Sequence, residues 1–292
     1  MGSRPETNPG IDAESGWLDV LDEPVFCWYH PARVEQRDVA VLLCDPLGSD
    51  RMNLHLTYRQ LALTLSNAGI PSLRLDYPGT CDSAGSPRDD GRVRAILQSI
   101  QEGAEFLKRR TGATRIAVFG ARFGGTLAGD FAARRADVEQ LVIWGAYESG
   151  RQFLRNESVL ERLSGVNRDG IHPSHWQPGD LEAAGFLYRR ETLDALREIS
   201  IGTLGPDTEA LVFDWDDEGD SHEVVEQLGE AGSSITYGGL LDRGLESMRS
   251  QKVPLVLINR TTEWLIAHSA PIREPATADR TPTLSPELRM ET

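Results

Sequence analysis

The stretch Ile116-Ala-Val-Phe-Gly-Ala-Arg-Phe-Gly-Gly-Thr-Leu-Ala128 decides the fold. An apolar run, Ile116–Phe119, passes through Gly120-Ala121-Arg122-Phe123-Gly124 into a helix-forming segment, Gly124–Arg135. Glycines two residues either side of a central position suit a tight strand-to-helix turn: the central residue is strained and its neighbours must lack side chains. The helix that follows aims backbone N–H groups and the positive end of its dipole at the turn. The central residue is Arg122. A guanidinium is always protonated and cannot attack a carbonyl, so serine-type nucleophilic chemistry is absent at this position. Two readings of Arg122 stay open. It binds an anion together with the helix N-terminus, or it folds back onto an acidic partner in a retired site.

Working outward, other short apolar runs lie at Val25–Tyr29, Val39–Cys44, Ser72–Leu75, Leu141–Trp144 and Leu211–Phe213, with a weaker one at Ser234–Tyr237. Between them fall helix-length amphipathic segments at Leu56–Ala68, Arg92–Arg110, Ser221–Ala231 and Val253–His268. Several runs are Val/Ile/Leu-rich on both faces, which suits strands buried between two helical layers. Asp220 followed by Glu223 marks a helix start. The alternation predicts an α/β chain with a doubly wound, mostly parallel sheet, its first strand pairing antiparallel at an edge. Residues 1–22 read as a flexible lead-in, and 23–145 with 206–269 as the core. Residues 146–205 read as a helical cap without strands over the carboxyl ends of the sheet. Residues 270–292, with Pro271, Pro275, Pro282 and Pro286, read as a disordered tail.

The whole chain has 292 residues, enough to bury a core without disulfide or metal. Its net charge of −15 argues against nucleic acid or an anionic membrane as partner. No apolar run approaches the roughly 20 residues of a membrane helix. The first residues carry no apolar signal-peptide core, which predicts a cytoplasmic protein. Cys27, Cys44 and Cys81 are widely spaced with no metal-like pairing, and nothing in the sequence asks for a cofactor.

Three stretches carry a family resemblance: Cys44-Asp-Pro-Leu-Gly-Ser-Asp-Arg-Met-Asn, Tyr58-Arg-Gln-Leu-Ala, and Leu73-Arg-Leu-Asp-Tyr-Pro-Gly-Thr-Cys-Asp-Ser-Ala-Gly. Together with the Gly120–Gly124 turn they resemble the α/β-hydrolase superfamily, and within it the serine-aminopeptidase-like, exosortase-system-associated hydrolases. The resemblance covers Val39–Tyr147 well and the remainder to Leu265 loosely. It implies an α/β-hydrolase fold with a helical cap and places Arg122 at the nucleophile elbow. The acid of a Ser-His-Asp triad falls to Asp214, Asp216 or Asp217. No histidine follows the last strand: His268 comes late, and His222 follows the acidic loop instead. A working triad is therefore not written in this chain.

Other candidates have dull readings beside their sharp ones. Cys81 stands where the resembling loop has glycine. It is either an inert thiol or a nucleophile served by His222 or His55. Cys27 and Cys44 lie in or beside strands and read as core. Asp214–Asp220 with His222, and His172 with His175, have poor metal spacing, so no metal site is expected. Phe153, Trp176, Phe186 and Tyr188 line a pocket or form the cap's own core, the second being preferred. Asp50, Arg51 and Asn53 follow Val39–Cys44. Pro46 there cannot donate, whereas Leu47, Gly48 and Phe123 offer backbone N–H groups to an oxyanion.

Two functions follow. One is an atypical hydrolase-fold protein that binds or acts on a small acyl-bearing or anionic molecule through Arg122 and those N–H groups, with Asp216 as carboxylate base. The other is a pseudoenzyme serving as a protein-binding or scaffold partner. A Cys81-dependent esterase or thioesterase is the weaker third.

Overall fold

In the computed structural model, the described residues are 13–164, 177–215, 221–229, 234–241, 253–272 and 284–285. The chain opens with an antiparallel pair, β1 (Glu14–Val20) and β2 (Glu23–His30), and then alternates strand and helix. The elements that follow are β3 (Val39–Cys44), α1 (Gly48–Asn67), β4 (Ser72–Leu75), α2 (Arg92–Thr111), β5 (Arg115–Ala121), α3 (Phe123–Ala133) and β6 (Val138–Trp144). Next come α4 (Gly150–Ser164), β7 (Leu181–Ala183), β8 (Phe186–Tyr188) and α5 (Arg190–Arg197). The chain closes with β9 (Glu209–Trp215), α6 (Ser221–Gly229), β10 (Ser234–Leu241) and α7 (Leu255–Ala267). Among the described residues, eight strands form one sheet in the order β1-β2-β4-β3-β5-β6-β9-β10, parallel from β4 to β10 and antiparallel at the β1–β2 edge.

Sequence pattern explains the layering. All six residues of β3 are buried, as expected of a strand covered on both faces. In β5, Ala117, Phe119 and Ala121 join one apolar cluster with Leu61 of α1 and Ile258 of α7. Ile116 and Val118 turn to the other cluster, with Ile100 of α2 and Leu127 of α3. That alternation is the period-2 pleat of a strand between two helical layers.

Four expectations need correction. The lead-in contains a strand, because β1 pairs in full with β2 through a turn at Leu21 and Asp22, both at positive φ. The tail is partly held: Ser285 exchanges backbone hydrogen bonds with Trp17, Leu284 is buried, and the Ile272 N–H donates to the Gln36 carbonyl. Among the described residues, the region between β6 and β9 holds α4 and α5 and also the β7–β8 hairpin, which turns at Ala184 and Gly185 with positive φ. Helix α1 also begins at Gly48, earlier than Leu56.

The glycine frame around Arg122 is forced by close approach. A methyl group on Gly120 would lie 2.1 Å from the Gly124 carbonyl oxygen, and one on Gly124 would lie 2.3 Å from the Cys44 carbonyl oxygen. Both contacts are to backbone, which cannot swing aside. Gly124→Ala is therefore expected to destabilise the fold by roughly 2–4 kcal/mol. Gly205→Ala, whose nearest contact is at 4.0 Å, should stay within about 0.5 kcal/mol. Denaturant titration of the two variants checks this, and equal midpoints would contradict it.

Candidate functional site

The chain turns one way from β3 through α1 to β4 and the other way from β5 through α3 to β6. The carboxyl ends of β3 and β5 therefore flank a topological switch point, the crevice where open α/β sheets bind ligands. Tyr58 of α1 bridges the two ends: its hydroxyl donates to the Cys44 carbonyl at 2.8 Å and accepts from the Ala121 N–H at 2.9 Å.

Arg122 lies at this point with φ 55° and ψ −132°, capping α3. Positive φ in a non-glycine residue is strained and persists where surrounding bonds over-determine it. Here the Arg122 N–H donates to the Trp144 carbonyl at 3.0 Å, and its own carbonyl accepts from Gly125 N–H at 2.9 Å. The guanidinium folds back into the chain. Its Nε donates to Asp50 Oδ2 at 3.3 Å, and Nη1 donates to the Gly145 carbonyl at 3.3 Å. Nη2 donates to the Tyr147 hydroxyl, and the group sits 4.3 Å from that ring's centroid. Asp50 belongs to the first turn of α1, where a carboxylate suits the helix dipole. Thr126 Oγ1 donates to the Tyr147 carbonyl at 2.5 Å, fixing the loop that carries the phenol. Burial pushes the Tyr147 phenol up, against the pull of Arg122, so it stays neutral.

Above the turn, Phe123 is stacked on Phe153 of α4, with centroids 4.5 Å apart and planes at 24°. Phe153 is fully buried and meets Tyr147 and Tyr188 edge-on. Phe153 and Tyr188 are thus packed core side chains, and Phe186 is half-buried. Glu157, one helical turn after Phe153, is 1% exposed and accepts a hydrogen bond from the Tyr188 hydroxyl at 3.1 Å. A methyl group on Gly48 would meet the Tyr188 hydroxyl at 2.6 Å and Glu157 Oε2 at 2.8 Å. Carboxyl and phenol thus lie against Gly48, which has φ +62°, in the loop expected to offer N–H groups. Leu47 there is buried and caps α1. Burial pushes the Glu157 carboxyl up to about 7, with the Tyr188 hydrogen bond opposing.

A second cluster sits beside the first at the ends of β3 and β4. Arg51 pairs with Asp45 at 3.2 Å, and also contacts Asp76 and the sulfur of Cys81. Burial raises the Asp45 carboxyl to about 6, against the pull of Arg51. Cys81 is exposed and has φ 46°. Cys27 and Cys44 are buried, and burial pushes both thiols up.

The histidines do not assemble a triad among the described residues. His55 is exposed, with its Nδ1 2.7 Å from the Met52 carbonyl. His268 lies at the opposite, amino end of the strands, its carbonyl accepting from Gln140 at 2.9 Å and also from Arg115 at the start of β5. Asp214 is buried near the end of β9. Asp216, Asp217, His172, His175 and Trp176, and the side chain of His222, lie outside the described residues. No group of three or more His, Cys, Asp or Glu among the described residues is placed to hold a metal. No described helix is long and apolar enough to cross a membrane. Sequence reasoning missed Tyr147, Glu157, Asp45 and Asp76. Glu157 was visible only as the acid four residues after Phe153.

Solved structures similar to this chain are α/β hydrolases in fold. Est1E from Butyrivibrio proteoclasticus, with ferulic acid bound, is 14% identical and matches 86% of this chain and 98% of its own, with a TM-score of 0.58. An esterase from Pyrococcus furiosus is 14% identical over 91% of this chain and 94% of its own, with a TM-score of 0.59. The bottromycin epimerase BotH, in complex with bottromycin A2, is 18% identical over 87% and 99%, with a TM-score of 0.56. No protein-family model and no curated protein sequence matches the chain.

The raised Glu157 carboxyl has a consequence for stability. The fold prefers its protonated form, so between the ordinary carboxylate range and about 7 the folded chain holds more proton than the unfolded one. Stability from this group therefore falls as pH rises through that window. Glu157→Gln should lose less stability than the wild type between about pH 5 and about pH 8, by up to about 3 kcal/mol. Unfolding midpoints at the two pH values check this; parallel pH profiles would overturn it.

Proposed function

Given the α/β-hydrolase fold, we propose that this chain is a non-catalytic member of it, acting as a protein-binding or scaffold partner, with Arg122 at the position the nucleophile holds in hydrolases. The observation that carries the reading is where the guanidinium goes: it is engaged by Asp50, the Gly145 carbonyl and Tyr147 of its own chain. An anionic ligand would have to displace Asp50 from a partly buried ion pair, in which the two side chains are 20% and 22% exposed. Losing one partner of such a pair leaves an uncompensated charge. The Phe153 ring stacks on Phe123, and the Glu157 carboxyl and Tyr188 phenol lie against Gly48, so apolar and polar side chains of the chain's own α4 and β8 crowd the backbone groups a substrate carbonyl would approach. Est1E and the bottromycin epimerase indicate that this fold carries more than one chemistry, so the fold alone assigns none here.

A second reading has its own support. Arg51 sets a guanidinium against the exposed sulfur of Cys81, and a cation beside an accessible thiol is the setting of reactive cysteines. In that reading Cys81 attacks an ester or thioester carbonyl and expels the alcohol or thiol, and water then releases the acid.

A panel of ester and thioester substrates, with intact-mass detection of acyl adducts, separates these readings. The scaffold reading expects no turnover and no adduct from the wild type, and none from Arg122→Ser. An adduct that disappears in Cys81→Ala would replace it with the thiol reading. Turnover without an adduct that disappears in Arg122→Ala would contradict both.

A further inference from the structure

We propose that the outer face of α4, with the adjoining end of α5, is a docking surface for an acidic protein segment that carries an apolar side chain. The proposal rests on the scaffold reading above and names the surface that would serve it. The turn-by-turn pattern of α4 divides the helix into two stripes. Phe153 and Glu157 face inward. Arg151, Arg155, Val159 and Arg162 recur three or four residues apart on the outside, the spacing of one helical face.

With Arg197 of α5 and the buried Leu154 as floor, this face lines a groove of about 410 Å³ that includes no acidic residue. Val159 stands in it half exposed, at 50%. Four guanidinium groups around one exposed aliphatic side chain are unusual in a chain of net charge −15. Like charges so close repel one another unless something of opposite sign compensates.

Internal compensation is partial. Arg151 reaches Glu198 at 3.6 Å across open solvent, and Arg197 pairs with Asp194. Neither Arg155 nor Arg162 has an ion-pair partner among the described residues. Many arginines elsewhere are tied down, among them Arg51 to Asp45, Arg92 to Glu23, Arg110 to Glu14, and Arg189 to Asp180, while Arg59, Arg88, Arg94 and Arg109 are exposed without an ion pair among the described residues. What sets the outer stripe of α4 apart is clustering, with Arg151, Arg155, Arg162 and Arg197 gathered around one half-exposed aliphatic side chain. Carboxylates accept the forked N–H pairs of Arg in a bidentate fashion, the long Arg stems offer apolar contact, and the Val159 methyls need a hydrophobic partner. Together these specify Asp or Glu side chains flanking a Leu-like residue.

The test uses the full chain and a labelled synthetic peptide of Glu, Asp and Leu, read by fluorescence anisotropy. Arg155→Glu/Arg162→Glu should weaken binding by roughly tenfold or more, because charge reversal converts attraction to repulsion. Arg59→Glu/Arg109→Glu makes the same change in net charge at two exposed residues of α1 and α2 that line no groove with α4 or α5 and should change binding by less than about twofold. Val159→Asp should weaken binding without moving the melting temperature. Equal losses in the two double variants would reduce the effect to net charge and overturn the proposal, as would no binding by the wild type at low salt. A chain that neither turns over esters nor binds the peptide refutes this surface alone. One that turns over esters refutes the scaffold reading itself.

Discussion

The charge of Arg122 is held at the switch point between β3 and β5, and the surroundings of that crevice are arranged around it. A guanidinium on a strained residue at the head of α3 needs compensation from several elements at once. The first turn of α1 supplies Asp50, while the chain leaving β6 supplies the Gly145 carbonyl and the Tyr147 phenol. Tyr58 then links the two strand ends, and Thr126 fixes the Tyr147 backbone. Sheet ends, helix starts and the segment leading to α4 are thereby tied to one cation.

On the proposed reading, the turn that presents a nucleophile in hydrolases here presents a cation to the chain's own carboxylate. The apolar contacts then follow: once the head of α3 is closed, Phe123 is free to stack on Phe153, and α4 can bring Glu157 down onto Gly48. Burying that carboxyl is tolerable because Tyr188 donates to it and because burial, by raising its pKa, favours the neutral form over the charged one.

Much of the core was legible because its signals are local. Gly120 and Gly124 frame the turn since any side chain there would strike backbone, and β3 reads as buried on both faces because every residue of Val39–Cys44 is apolar. The contact of Arg122 with Asp50 was not legible in the sequence, because Asp50 lies 72 residues away along the chain. Strand β1 was invisible: Glu14-Ser-Gly-Trp-Leu-Asp-Val has little apolar content, and its turn at Leu21 and Asp22 lacks the glycine that usually announces a hairpin. The start of α1 was hidden for a similar reason, since Gly48–Asn53 is polar and shows no helical periodicity. Leu284, one apolar residue among prolines and charges, gave no warning that it would return against β1.

The most direct test of the account is a double-mutant cycle on stability between Arg122→Met and Asp50→Asn. If the guanidinium is committed to its own chain, the two residues should couple by roughly 1–3 kcal/mol, the double variant being far less damaged than the sum of the single ones. Additive effects with negligible coupling would mean that Arg122 is not committed to Asp50, and the account of a turn closed by its own chain would fail.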